Sequence, residues 1–230
     1  MTKKTHIIRL GGIFLGVAAL AVGGIHYTRT DTGLVRFVDD PSHLINDPGA
    51  QPLAVNPDAG FSPIDVPEFE VASSHGGTLT RDGLKGTYSV IYFGFAYCPD
   101  VCINATDGMA RAYDLLTDDE KKNVRMYFFS FDMERDTPEF LKTHLSAFNE
   151  DFIGASGAGP FKLDMVNVLR EFDIVADRVK RREGFSFSHS NYTYLLDREA
   201  RFLTQYNYTT ITESPESLVR DLRALWQKEG

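Results

Sequence analysis

The chain has 230 residues, 24% of them charged, with a formal net charge of −8. That acidic balance, with no basic patch or stripe, argues against nucleic acid as a partner. The stretch beyond residue 63 is one domain's worth of chain and long enough to bury a sizeable core.

In chain order, Lys3, Lys4 and Arg9 precede an apolar run from Leu10 to Ile25, LGGIFLGVAALAVGGI. Basic residues ahead of such a run favour an orientation with the N-terminus inside and the rest exported. The expectation is one N-terminal transmembrane helix, with residues 1–27 as an anchor and His26 and Tyr27 at the interface. Ala19-Leu20-Ala21 resembles a signal-peptidase site, so a cleaved leader is the alternative. The leader lacks the Arg- and Ser-rich look of a mitochondrial transit peptide. A bacterial inner membrane, with the functional domain in the periplasm, is therefore expected. Residues 28–63, rich in Pro, Asp, Asn and Gly, read as a linker, with Leu34 to Val38 as one short piece able to pack.

Residues 64–230 read as the globular domain. Phe69 to Leu79 carries two short strands around Ser-Ser-His-Gly-Gly. Val90 to Phe95 is apolar, β-branched and aromatic, which predicts a strand buried on both faces. A turn through Tyr97-Cys98-Pro99-Asp100 leads into a helix reaching Leu116, with Ala105, Met109, Ala112 and Tyr113 at helical spacing. Val124 to Phe131 is a second central strand. Thr137-Pro138 opens a helix over Glu139 to Phe148, with Thr as N-cap and Pro at the first helical position. Phe152 to Ala155 is a short strand. Phe161 to Phe172 is a helix with Leu163, Val166, Leu169 and Arg170 in register. Ile174 to Val179 and Phe185 to Phe187 form a hairpin with Lys180-Arg181-Arg182 at a solvated tip. Tyr192 to Leu196 and Arg201 to Tyr206 form a second hairpin, and Ser214-Pro215 opens a last helix, Glu216 to Trp226. Strand, helix, strand, helix, antiparallel hairpin and final helix is a thioredoxin-like α/β order.

The only two cysteines, Cys98 and Cys102, sit where the first central strand hands over to a helix. Backbone N–H groups at a helix start lower a thiolate pKa, making the sulfur reactive or able to hold a metal. The C-x-x-x-C spacing excludes C-x-x-C-H haem attachment, and a second cysteine pair for a structural zinc site is missing. A redox pair, a soft-metal site and a structural disulfide all remain open on spacing. Two thiolates with one imidazole would suit Cu(I).

Four blocks, in order, resemble the Sco (SenC) family of membrane-anchored copper proteins: YFGFAYCPDVC from Tyr92, SFDMERDTPEFLKTHLSAF from Ser130, FIGASG from Phe152 and SHSNYTYLLDREARFL from Ser188. The resemblance implies a thioredoxin-like fold with an added β-hairpin. It implies copper, as Cu(I) or Cu(II), held by Cys98, Cys102 and His189. It also implies a metallochaperone that delivers copper to the binuclear centre of cytochrome c oxidase subunit II, or to another copper enzyme, served by an upstream copper donor and a thiol reductant. The alternative is a thiol–disulfide oxidoreductase that keeps the oxidase subunit's cysteines reduced, with Cys98 and Cys102 as its redox-active pair.

Three residues depart from the family pattern. Ile103 stands where Pro is common, Ser188 where Asp is common, and Met133 where Pro is usual. The Ser188 change would remove a carboxylate from beside the imidazole. Met133 is expected to pack rather than to approach a metal. Asp100, between the cysteines, is a candidate for tuning thiolate charge or for docking a partner. Asp132 is expected at the ligand-binding edge of the sheet, and Asp136 is a candidate either for a role at the site or for a structural pair with Arg135. His6, His26, His43, His75 and His144 are read as bystanders.

Overall fold

The structure, a computed structural model of the chain, describes residues 64–182 and 184–229, together with the backbone of residues 20–22, 25–30 and 33–38. It divides into two compact units, residues 1–46 and 47–230.

In the first unit, β1 (Leu20–Val22), β2 (Ile25–Thr30) and β3 (Gly33–Val38) form an antiparallel three-stranded sheet in that order. Val22 pairs with Ile25, and Thr30 with Gly33. The expected transmembrane helix mostly falls on residues 1–19, outside the described residues. Within that span, residues 20–22 and 25–27 are strand. The Gly23-Gly24 pair is a poor helix sequence, and the β-branched and aromatic residues after it favour extended chain. Among the described residues no helix is long and apolar enough to cross a membrane. Leu34 to Val38 lies in β3.

The second unit opens with β4 (Ile64–Asp65), β5 (Glu70–Ser73), β6 (Thr78–Thr80) and β7 (Tyr88–Gly94). Helices α1 (Val101–Asp114) and α2 (Asp118–Lys121) follow, then β8 (Val124–Ser130), α3 (Pro138–Ser146), β9 (Ile153–Ser156) and α4 (Lys162–Glu171). The chain closes with β10 (Ala176–Lys180), β11 (Phe185–His189), β12 (Tyr192–Leu196), β13 (Arg201–Asn207), α5 (Tyr208–Glu213) and α6 (Glu216–Glu229).

Eight strands form one sheet in the order β4-β13-β12-β7-β8-β9-β5-β6. The centre, β7-β8-β9, is parallel, and every other pairing is antiparallel. All seven residues of β7 are buried, as its unbroken apolar run requires of a central strand. Ribbon β10–β11 pairs with no strand of this sheet. It is the hairpin added to the thioredoxin-like plan.

The parallel strands end in line, Gly94 beside Ser130 and Ser130 beside Ser156. The loops after β7 and β8 therefore open at one edge, the carboxyl edge where sheets of this class bind ligands. Helix α1 buries Cys102, Ala105, Thr106, Met109, Ala112 and Tyr113, the stripe its spacing predicts. Thr137 caps α3 by accepting the Phe140 N–H, with Pro138 at the first position. Helix α4 departs from the expectation. Met165, Val168 and Leu169 face the core, whereas Leu163 and Val166 are exposed. Helices α2 and α5 go beyond the elements expected from sequence.

Candidate metal centre

The site begins where β7 ends. The chain leaves Gly94 and folds back so that the Cys98 N–H donates to the Phe95 carbonyl at 3.2 Å. Cys98 thus precedes α1, and Cys102 is the helix's second residue. The Cys102 N–H, one of the helix's unpaired first-turn donors, points at Cys98 Sγ at 3.4 Å. His189 arrives from the far end of β11, placing Nε2 3.4 Å from Cys102 Sγ. Its Nδ1 lies 2.7 Å from the Ser190 carbonyl oxygen. A carbonyl only accepts, so Nδ1 carries the proton and Nε2 presents its lone pair to the sulfurs.

The ligand atoms of Cys98, Cys102 and His189 all lie within 4.8 Å of one another. Donors bound at about 2.0–2.3 Å around a trigonal ion stand roughly 3.5–4 Å apart, so a small inward adjustment closes this set on one ion. Two sulfurs and an imidazole are a soft donor set that suits copper.

The two thiols are unequal. A hydrogen bond from the Cys102 thiol is the largest cause holding the Cys98 pKa down to about 4, against burial, with further help from the backbone N–H groups of Asp100 and Cys102. Burial, then the neighbouring Cys98 sulfur, hold the Cys102 thiol far above the usual range. One sulfur is therefore a thiolate in advance, and the second gives up its proton to a metal or to an oxidant.

Aromatic rings wall the imidazole. His189 stands 5.0 Å from Phe131 and 5.9 Å from Phe95, and Phe187 packs on both phenylalanines at 5.2 Å. Phe185, Phe187 and His189 alternate along β11, so they share one face of the ribbon. The walls lower the local dielectric and fix the ring. Tyr92, wholly buried on β7, donates its hydroxyl to Asn191 Oδ1 at 2.8 Å and interacts with Cys102. Neither Tyr92 nor Asn191 was singled out by the sequence reading. Tyr92 looked like one more apolar strand residue, and only the position of Asn191 two residues past His189 hinted at its place.

A family model described as SCO1/SenC matches residues 58–227. The chain belongs to the SCO1/SenC family. Among curated relatives, the SCO2-like protein RC0895 of Rickettsia conorii is 31% identical over 159 residues, covering 68% of this chain and 74% of that protein. Bradyrhizobium japonicum ScoI, solved with copper bound, is 29% identical at a TM-score of 0.59, over 70% of this chain and 98% of that one. Yeast Sco1 with copper bound is 26% identical at a TM-score of 0.58, over 70% of this chain and 90% of that one. Solved relatives thus bind copper, and this chain has a Cys-Cys-His group able to bind a metal.

Against the family background, the remaining candidates sort clearly. The Asp100 carboxylate is exposed and accepts from Asn104 Nδ2 at 2.8 Å, so its backbone N–H, not its charge, reaches the Cys98 sulfur. Arg135 pairs with Asp132, not with Asp136. Asp132 is nonetheless buried at the carboxyl edge, as expected. Asp136 is fully buried and accepts from the Ala96 N–H at 2.8 Å and the Ser130 hydroxyl at 2.6 Å, pinning the loop that leads to Cys98. Burial pushes its pKa up to about 6. Met133 packs against the core beside Gly157. His75 is exposed in its turn, and His144 sits among Phe128, Phe140 and Phe148 with its pKa lowered by burial. Lys180, Arg181 and Arg182 are exposed at the ribbon tip.

Proposed function

We propose that this chain is a copper metallochaperone that delivers copper to the binuclear centre of cytochrome c oxidase subunit II. The observation that carries the reading is the convergence of two cysteine sulfurs and one imidazole nitrogen at a sheet edge, in a SCO1/SenC chain whose solved relatives carry copper. Cys98, Cys102 and His189 are the proposed ligands. Three ligands leave room for an acceptor's cysteine or histidine to enter, which transfer requires. An upstream donor supplies the metal and a reductant keeps both sulfurs available, because copper binds only the dithiol. Residues 1–27 are proposed to anchor the chain in a bacterial inner membrane, residues 28–63 to tether it, and residues 64–230 to work in the periplasm. Lys3, Lys4 and Arg9 ahead of the apolar run support that orientation.

The test is copper binding by the reduced full-length chain against a competing chelator. One tightly held copper in wild type, strongly weakened in His189→Ala and in Cys98→Ser, is the expected result. Unchanged binding in His189→Ala, or none in wild type, overturns it. The inequality of the two thiols also favours a second reading, thiol–disulfide exchange on the oxidase subunit's cysteines, with Cys98 as attacking thiolate. That activity would survive His189→Ala.

A further inference from the structure

His189 is the last residue of a ribbon that shares no ladder with the main sheet. The short link from His189 to β12, which pairs with β7, holds the ribbon base near the site, and side-chain contacts fix the ribbon against the cysteine loop. At the ribbon base, Asn191 Oδ1 accepts from the Tyr92 hydroxyl of β7 at 2.8 Å. Further along, Phe187 enters the Phe95–Phe131 pair. The third attachment is Arg135, in the loop after β8.

The Arg135 guanidinium lies 3.9 Å from the Phe185 ring centroid and 4.8 Å from that of Tyr97. Its Nε is paired with the buried carboxylate of Asp132, and Nη1 donates to the Phe185 carbonyl at 3.3 Å. Tyr97 adjoins Cys98, and Phe185 shares the inward face of β11 with His189. One planar cation thus touches the cysteine loop and the histidine ribbon together. Its neighbour Glu134 reaches the same ribbon, accepting from Arg178 at 2.8 Å, and Arg178 also lies 3.5 Å from the Phe185 ring. Asp132 fixes the guanidinium from one side, so the contact is preorganised. Lysine has neither the plane nor the fork for it.

We infer that Arg135 is a positioning residue for the copper site: through Phe185 and Tyr97 it sets the placement of His189 against Cys98 and Cys102. This inference rests on the ligand reading proposed above.

The test is a double-mutant cycle on the reduced full-length chain, read as Cu(I) affinity by chelator competition, with thermal unfolding of each metal-free variant as the fold control. Arg135→Gln is expected to weaken copper binding by about tenfold when His189 is present, the scale of losing a residue that orients a ligand. It is expected to add nothing in the His189→Ala background. Phe185→Ala leaves the Asp132–Arg135 pair intact and is expected to repeat that pattern, which keeps the test alive should Arg135→Gln fail to fold. Equal losses with and without His189, or wild-type affinity in both variants, overturn the inference. Should His189→Ala itself bind copper like wild type, the ligand reading fails first. Should His189→Ala be weak while Arg135→Gln and Phe185→Ala bind normally, only the positioning role fails.

Discussion

His189 Nε2 stands 3.4 Å from Cys102 Sγ although 87 residues separate the two in the chain. The imidazole is oriented from behind by its own neighbour, through Nδ1–H to the Ser190 carbonyl. That bond bears on the absent aspartate at position 188. Ser188 alternates with His189 and lies opposite Asp177 across the ribbon. Aspartate there would face Asp177, while Nδ1 already has an acceptor. Ser188→Asp is therefore expected to leave copper affinity within about threefold and to cost the ribbon about 0.2–1 kcal/mol from like charges in register. Chelator competition and denaturant unfolding check the two halves.

The unequal thiols make a labelling prediction. With its pKa held near 4, Cys98 is thiolate throughout the neutral range. Its alkylation by iodoacetamide is expected to stay nearly flat from pH 5 to 8 and to fall below about pH 4. Both sulfurs are buried, so the contrast rests on ionisation: Cys102, its pKa raised, is expected to label far more slowly than Cys98 under the same conditions. Peptide mapping after timed alkylation reads both. Comparable labelling of the two cysteines at pH 6 contradicts the asymmetry.

Asp136 gives a pH dependence of stability with a definite sign. Burial raises its folded pKa to about 6, above the ordinary carboxylate range, so the folded state binds the proton more tightly than the unfolded chain. Protonation stabilises the fold. The contribution is complete below the unfolded pKa and is lost as pH rises through about 6, up to roughly 3 kcal/mol in all. Glu120 runs the other way, held at about 2 chiefly by its hydrogen bond from Arg223. The Asp136 contribution is therefore read as a difference. Between pH 4 and 6.5, Asp136→Asn is expected to lose less stability than wild type in urea unfolding.

Gly108 decides a helix contact. A Cβ there would meet the Ile211 carbonyl oxygen of α5 at 2.3 Å, and a backbone atom cannot swing aside. Alanine in a helix interior gains about 1 kcal/mol over glycine from propensity. Displacing α5 costs about 1–3 kcal/mol, so the clash is expected to win. Gly108→Ala should lower the urea midpoint. A raised midpoint would mean that α5 yields without cost.

Much of the fold was legible because its signals are local. The unbroken apolar runs of β7 and β8 and the Thr137-Pro138 start of α3 each state their own structure within a few residues. Helix α4 shows where local signals stop. Leu163, Met165, Val166, Val168 and Leu169 are apolar around much of the helix, so periodicity allowed more than one buried face. The choice fell to the sheet edge, where Met165 packs against Gly157. The partner of Arg135 followed the same rule: the loop geometry after β8 turned the Asp132 carboxylate to the guanidinium and that of Asp136, the partner considered from sequence, inward to the Ala96 N–H.

The sequence by itself determined the strand–cysteine–helix junction and the four blocks that mark the family. Only the tertiary structure decided that the ribbon lays the face carrying Phe185, Phe187 and His189 on Phe95 and Phe131, that Arg135 bridges it to the cysteine loop, and that Nε2 rather than Nδ1 points at sulfur. Helical and strand periods are properties of neighbouring residues, whereas the approach of His189 to Cys102 depends on packing between elements far apart in the chain.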